Sequence, residues 1–324
     1  MKKLNAKELG IGALAGLTAA LLVYGALRQP FLAIVFISAS ALPILIVGLG
    51  WGNIAVATAV VAAGIFGIVI GPLPFALTAI VLAAVPAWLS HLASLARPAS
   101  ELGGPDHLMA WYPLSDIMLH LCAVASIAIV AAGVLMGYGP DLIGKTIAFN
   151  LELLNDQQQQ ALDAASIEKL KTILLYAVPF VWGMCWVSAV FAAYYFATRI
   201  VVASGRSQRP REDIPSALRM NRNAIFVFLV AIVAIFFGGV LGLIAAAVLG
   251  AFGAGFIVSG FASLHYRTRG KDWRLPVLII CYLVCFFVTL PLFIVLVLGL
   301  YDTRKAISLT PNKNADTPKQ DTKI

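Results

Sequence analysis

Charged side chains are scarce in this sequence, and most of them fall in a few short segments. Asp, Glu, Lys and Arg together make up 12% of the 324 residues, whereas hydrophobic residues make up 61%. A soluble domain of this length carries roughly twice that charged fraction. The composition therefore excludes an ordinary soluble protein and indicates a polytopic integral membrane protein.

The sequence also lacks the motifs of the common catalytic and nucleotide-driven classes. It contains no GxxxxGKS/T phosphate-binding loop, no HExxH zinc motif and no GxSxG nucleophile motif. We therefore expect no enzyme and no cofactor, and a transporter driven by ATP would need a separate ATPase. The net charge is +8, but no basic groove interleaved with aromatic residues is present, so we do not expect nucleic acid to bind.

Cysteine is rare, and its four copies all fall within apolar segments: Cys122, Cys185, Cys281 and Cys285. Their positions imply no disulfide framework. Cys281 and Cys285 are four residues apart on one helix face, but no further metal ligand lies near them in the sequence. We therefore interpret the cysteines as small apolar residues and expect no metal site.

Long apolar segments fill most of the chain. A helix crosses about 30 Å of hydrocarbon with about 20 apolar residues. The segments lack the alternation typical of barrel strands and are rich in Ala, Leu and Gly, so we predict an all-α transmembrane helical bundle. We assign about nine spans, at 10–28, 31–49, 53–71, 74–96, 114–136, 171–203, 223–239, 241–266 and 273–300.

The polar segments divide the chain into four regions. These are an N-terminal membrane bundle of six spans at 1–204, a basic cytoplasmic loop at 205–222, C-terminal membrane spans at 223–305 and a disordered tail at 306–324. The bundle includes an external segment at 137–170, in which Asp156 and Gln159 have the spacing of a helix capping box. We interpret this segment as a short surface helix on the bilayer, with a lid over an outward-facing pocket as the alternative.

Lysine and arginine are distributed unevenly over the predicted loops. With the N-terminus inside, the inside gaps contain most of the basic residues, above all segments 199–222 and 267–274. The outside gaps before the tail contain only Arg28, Lys145, Lys169 and Lys171. Basic residues mark the cytoplasmic side, so we predict a cytoplasmic N-terminus and a helical hairpin over 223–266. Nine spans leave the basic tail outside, which conflicts with the same rule.

Few polar side chains fall within the predicted spans, so each of them is a candidate for a site. We predict a ligand pocket from five residues near the cytoplasmic interface: Trp51, Asn53, Trp88, Asp116 and His120. The aromatic rings stack on the ligand in this hypothesis, and the other three side chains hydrogen-bond it. A structural alternative stays open, in which Trp51 is an interfacial turn residue and Asp116 with His120 caps and anchors a helix start.

Two further patterns suggest contacts with helices or with other proteins. The first span carries a ridge of small residues at Gly12, Ala15, Gly16 and Ala19. This spacing lets another helix approach closely, from the same chain or from a partner. The basic loop carries Arg206, Arg209 and Arg211. These arginines either anchor the loop to anionic lipid or dock a cytoplasmic partner.

Several short motifs support a resemblance to a known family. They are Leu49-Gly50-Trp51-Gly52, Pro86-Ala87-Trp88-Leu89, Trp111-Tyr112-Pro113-Leu114 and a closing region from Leu264-His265-Tyr266 to Leu300-Tyr301-Asp302. In these the chain resembles the YybS-like family of uncharacterised bacterial inner-membrane proteins. That family is thought to be distantly related to the substrate-binding S components of energy-coupling-factor transporters. S components meet a coupling subunit through an Ala-xxx-Ala ridge on their first helix, and Ala15-xxx-Ala19 matches that spacing.

The resemblance implies a multi-pass protein of the bacterial inner membrane that acts as a small-solute-binding or transport subunit. Its partners would be the lipid bilayer and a coupling membrane subunit with a separate ATPase. The chain departs from S components in having more spans than they usually have, and no vitamin-binding signature carries over. The alternative is a non-transporting scaffold or regulator that recruits a cytoplasmic partner through the basic loop.

Overall fold

The computed structural model describes residues 5–155, 163–288, 290–303 and 309–311 of the chain. These residues form a helical bundle with very little β-structure, which confirms the predicted all-α membrane protein. Seven helices are long and apolar enough to cross a membrane, namely α1 to α5, α7 and α10. The helices are α1 Ala6–Arg28, α2 Ala33–Trp51, α3 Asn53–Ile70, α4 Leu73–Ala93, α5 Leu114–Leu135, α6 Pro140–Asn155, α7 Ala164–Ala203, α8 Ile214–Ala217, α9 Asn223–Ala234, α10 Gly239–Arg267, α11 Arg274–Phe287 and α12 Leu290–Tyr301.

Two apolar cores hold these helices together. The smaller core lies among α1, α2 and α3 and is built largely from alanine and valine, which let the helices approach closely. The larger core joins α4, α5, α7 and α10 through bulkier side chains such as Leu89, Leu121 and Phe252. Helix α2 packs against α7 and so connects the two cores. The turn between α2 and α3 depends on Gly52, whose φ of 86° is accessible to glycine at little cost.

Segments that are distant in the sequence meet at one end of the bundle, which we call the basic end. It comprises residues 93–113, the basic loop 205–222 and residues 267–274. Arg209 joins the first two segments by donating to the backbone carbonyls of Ala93 and Tyr112. Arg269 joins the third segment to the basic loop through Asp213, so three of the gaps that we predicted to lie on the inside come together.

The predicted hairpin over 223–266 is present as α9 and α10. The two helices are separated at Gly238, whose φ of 65° favours glycine. A 3-10 turn at Ile235–Phe237 extends α9, which is nevertheless shorter than the seven long helices. The ring of Phe228 packs edge-on against that of Phe256 at 5.5 Å, so α9 folds back along α10.

The last predicted span, 273–300, is wrong as a single helix. The structure divides it into α11 and α12, whose axes are bent by 119°. Val288 lies between them in an extended conformation. Pro291 near the start of α12 lacks the N–H that a continuous helix would bond to the carbonyl of Phe287. The apolar run is therefore continuous in sequence but interrupted as a helix.

Both ends of the α11–α12 pair lie at the basic end. Arg269, just before α11, donates to Asp213 of the basic loop at 2.8 Å. Asp302, just after α12, accepts from Arg219 of the same loop at 2.7 Å. The pair therefore returns the chain to the end from which it started, and the tail leaves from the basic end.

The external segment also differs from the prediction. It contains the helix α6, which precedes the predicted helix start, and the capping box at Asp156 and Gln159 lies outside the described residues. Tyr138 fixes the segment to α7 by donating its hydroxyl hydrogen to the carbonyl of Leu175 at 2.9 Å. Helix α7 has 40 residues, a length of about 60 Å. It is thus about twice as long as the hydrocarbon layer is thick, and α6 packs against it.

A small antiparallel sheet at the basic end was not predicted. Its strands are β1 Ala96–Pro98, β2 Leu108–Trp111 and β3 Leu309–Pro311, in the order β1-β2-β3. Trp111 donates its indole N–H to the Thr310 hydroxyl at 2.9 Å. Residues 309–311, which we expected in the disordered tail, therefore pair with β2. Strands of three or four residues are too short for an alternation pattern to reveal them.

Candidate binding groove

An open groove lies at the basic end, between α7, α10, α11 and the basic loop. Its volume is about 810 Å³, which lies within the range of small-molecule sites. Its walls are mainly apolar and include Phe191, Ala192 and Phe196 of α7, Val258 and Phe261 of α10, and Tyr282 of α11. The groove is much larger than the neighbouring pocket around Tyr194, Arg199 and Arg209, whose volume is about 40 Å³.

Helix periodicity explains why these side chains share one space. Phe191 and Tyr195 are four residues apart on α7, and Phe261 and His265 are four residues apart on α10, so each pair lies on one face. The Tyr282 ring stacks on that of Phe261, with the centroids 4.8 Å apart and the planes 13° from parallel. The Tyr282 hydroxyl also lies 2.8 Å from Nε2 of His265. These contacts hold α11 against α10 and form one wall of the groove.

The rim of the groove is charged, and both of its carboxylates already have arginine partners. Glu212 accepts from Arg209 at 2.8 Å, and both side chains of this pair are buried. Asp213 accepts from Arg269 at 2.8 Å, in a pair that is about half exposed. The hydrogen bond from Arg269 lowers the pKa of the Asp213 carboxyl below its ordinary value, so this carboxyl is ionised at neutral pH. Arg211 completes the rim and is exposed.

The basic loop is anchored to the bundle through Arg219. This side chain is fully buried, and its Nε donates to Asp302 at 2.7 Å. Ser263 of α10 donates its hydroxyl hydrogen to the same carboxylate at 2.6 Å. Leu218 and Met220 on either side of Arg219 are also fully buried. The loop that we predicted to contact lipid or a cytoplasmic partner is therefore packed into the protein at this point.

Two of the three arginines predicted for lipid or partner contact have partners within the chain. Arg209 is buried and is held by the carbonyls of Ala93 and Tyr112 and by Glu212. The Arg206 guanidinium lies 4.6 Å above the centre of the Trp51 ring, in a cation–π arrangement. Arg211 forms no ion pair with any residue in the described ranges. It is the one member of this set that faces the groove without a charged partner there.

The five residues predicted to form a ligand pocket lie near the basic end but do not line the groove. Trp88 and His120 are in ring contact with each other, and His91 connects Asn53 to them. The Trp88 ring is 5.7 Å from that of His91 and 6.4 Å from that of His120. His91 lies 3.2 Å from the side-chain oxygen of Asn53. Trp88 itself is 42% exposed, so this aromatic cluster forms a surface, and its role in binding stays a prediction.

The other two predicted pocket residues, Asp116 and Trp51, contact the basic loop instead of this aromatic cluster. The Asp116 carboxylate is buried and accepts from Asn221 of the basic loop at 2.5 Å. Its backbone carbonyl lies 2.9 Å from Nδ1 of His120. Because a carbonyl oxygen only accepts, Nδ1 carries the proton of this hydrogen bond. Trp51 packs under Arg206. These contacts match the structural alternative, in which Asp116 anchors the start of α5 and Trp51 is a turn residue.

The ridge of small residues on α1 faces α3 of the same chain. A Cβ added at Gly16 would overlap the carbonyl oxygen of Ala59 and lie 2.8 Å from the Ala62 Cβ, and a Cβ at Gly12 would overlap the carbonyl oxygen of Ala55. Ala15 and Ala19 are buried in the same core. The ridge is therefore covered within the chain and is not open to a coupling subunit.

Two features of the sequence point to the groove. One is the spacing of aromatic residues on α7 and α10, and the other is the pair Glu212-Asp213 inside an otherwise basic loop. Nothing local marked Arg219 or Asp302, because their pairing joins residues far apart in the chain.

Comparisons with known proteins add no family to this description. No protein-family model matches the sequence, and neither curated proteins nor solved structures give a match. The likeness to the YybS-like family therefore stays a prediction. Within the described ranges, no group of three or more His, Cys, Asp or Glu side chains is placed to hold a metal ion.

Proposed function

We propose that this chain is a multi-pass protein of a bacterial inner membrane that binds a small amphipathic solute in the groove at its basic end. In this proposal it acts as a solute-binding or transport subunit, as the YybS-like resemblance suggests. The observation that carries the proposal is the groove itself, an open space of about 810 Å³ with apolar walls and a charged rim. Apolar walls with a few polar groups are typical of small-molecule sites.

The charge distribution supports a cytoplasmic basic end. Residues 205–222 and 267–274 contain most of the described arginines, whereas Arg28, Lys145, Lys169 and Lys171 lie toward the other end. Basic residues mark the cytoplasmic side. Because the α11–α12 pair returns to the basic end, the N-terminus and the tail are both cytoplasmic in this topology. The basic tail then agrees with the charge rule, which it did not under nine crossings.

A coupling subunit would have to dock away from the ridge on α1, because α3 covers that ridge. The resemblance to S components therefore supports solute binding but does not supply a docking surface. Recruitment of a partner through the basic loop is weakened in the same way, since Arg206 and Arg209 already have contacts within the chain.

A thermal-shift experiment tests solute binding in the groove. Ala192 lines the groove and is exposed, so Ala192→Trp fills the space without entering the core. Ala203→Trp is the matched control, because Ala203 is exposed on the same helix but does not line the groove. The purified chain in detergent would be melted with a panel of amphipathic metabolites and lipids.

We expect at least one compound to raise the melting temperature of the wild type and of Ala203→Trp but not of Ala192→Trp. A compound that shifts Ala192→Trp as much as the wild type binds somewhere else. That result, or the absence of any shift across the panel, would contradict the proposal.

A further inference from the structure

The charges at the rim of the groove do not balance. Glu212 is neutralised by Arg209, and Asp213 is neutralised by Arg269. Arg211 lines the same groove, is exposed, and forms no ion pair with a residue in the described ranges. The rim therefore carries one uncompensated positive charge, and an anionic group is the complement that it lacks.

The apolar walls of the groove favour a ligand that has an apolar part as well as an anionic group. Phe196, Phe261 and Tyr282 present aromatic surface directly below the charged rim. A free phosphate or an acidic peptide would leave this apolar surface in contact with water. A molecule with an apolar chain and a single anionic head would cover both the surface and the charge, because burial of apolar area is favourable.

The groove is open on one side, and the helix that forms one of its walls has an apolar outer surface. Helix α11 forms one wall, and large apolar side chains such as Leu275, Ile279 and Leu283 are exposed on it. In a membrane these side chains contact acyl chains, so a lipid can reach the groove from the side. A cationic residue next to lipid at the cytoplasmic surface attracts anionic headgroups.

We propose that the groove holds an anionic phospholipid, with its acyl chain against Phe196, Phe261 and Tyr282 and its phosphate at Arg211. This inference rests on the proposed function, since it names the class of amphipathic molecule that the groove takes. It commits to a lipid of the bilayer as the source of the anionic group.

Native mass spectrometry of the full chain in detergent tests this inference. The chain would be titrated with phosphatidylglycerol and with phosphatidylcholine of the same acyl chains, and glycerol phosphate would serve as a soluble competitor. The variants are Arg211→Gln, which removes the rim charge, and Arg222→Gln, which removes an exposed arginine outside the groove. Ala192→Trp blocks the groove itself.

We expect the wild type and Arg222→Gln to bind phosphatidylglycerol about fivefold more tightly than phosphatidylcholine, the effect of one basic residue near an anionic surface. Arg211→Gln should bind the two lipids equally, and Ala192→Trp should weaken both. Glycerol phosphate should not compete.

Equal binding of the two lipids by the wild type, or competition by glycerol phosphate, would overturn the anionic-lipid inference while leaving groove binding in place. An Ala192→Trp variant that binds both lipids like the wild type would overturn the groove site as well.

Discussion

The contact between α1 and α3 gives a prediction that can be worked out from the structure. Gly16→Ala adds a methyl group where the Ala59 carbonyl oxygen and the Ala62 methyl group already lie, and both belong to a neighbouring helix. Overpacking of this kind costs about 1–3 kcal/mol. Alanine in place of glycine within a helix returns about 0.5–1 kcal/mol.

Gly10→Ala isolates the packing part of this change. Gly10 lies on the same helix, is exposed, and would place its new methyl group with nothing within 4 Å. Both variants gain the same helix propensity, so the difference between them is the cost of the overlap, about 1–3 kcal/mol.

We expect Gly16→Ala to melt roughly 2–12 °C below Gly10→Ala in detergent, at about 2–4 °C for each kcal/mol. Each variant would be heated to a series of temperatures, and the fraction that remains soluble and folded would be measured by size-exclusion chromatography. If the two variants melt at the same temperature, α3 does not cover the ridge as described. The ridge would then be open again to a coupling subunit.

Two further predictions concern the ion pairs of the basic end. Arg219→Ala removes the buried guanidinium that pairs with Asp302, so it should lower the free energy of unfolding by about 3–5 kcal/mol. Arg222→Ala is the control at an exposed position and should stay within about 0.5 kcal/mol of the wild type. Equal melting temperatures of the two variants would contradict the buried anchor. Because Arg269 lowers the pKa of Asp213, their pair should stabilise the fold above the ordinary aspartate pKa and lose this effect as the pH falls through the lowered value. The pair is about half exposed, so Asp213→Asn should lower stability by under about 1 kcal/mol at pH 7. The melting temperatures of the variant and the wild type should converge at acid pH. A difference in melting temperature that stays constant with pH would refute the stabilising role of this ion pair.

Hydrophobic patterning predicted most of the helices because membrane helices differ so strongly from their loops in composition. The hairpin of α9 and α10 was predictable as well, since two basic segments bracket it and Gly238 permits the break. Pro291 was visible in the sequence, yet the pattern alone did not show that the last apolar run folds back to the end where it began.

The groove was not predictable from the sequence, because it depends on how distant helices pack together. Periodicity shows which residues share a face of α7 or α10, but not that these two faces meet or that α11 closes the space between them. Ion pairs such as that of Arg219 with Asp302 depend on the same long-range packing. Asp116 depends on the same packing, because its carboxylate accepts from Asn221 of the basic loop, and its role in binding stays a prediction.

Photocrosslinking in native membranes tests ligand binding in the groove most directly. A benzophenone amino acid would replace Phe196, which lines the groove, or Phe226, which is exposed on α9 near the basic end but lies outside the groove. Mass spectrometry would then identify the molecules joined to each position. We expect position 196 to capture anionic phospholipid well above its share of the bilayer, and position 226 to capture lipids in proportion to the bilayer. The same lipid mixture at both positions would contradict a binding site in the groove.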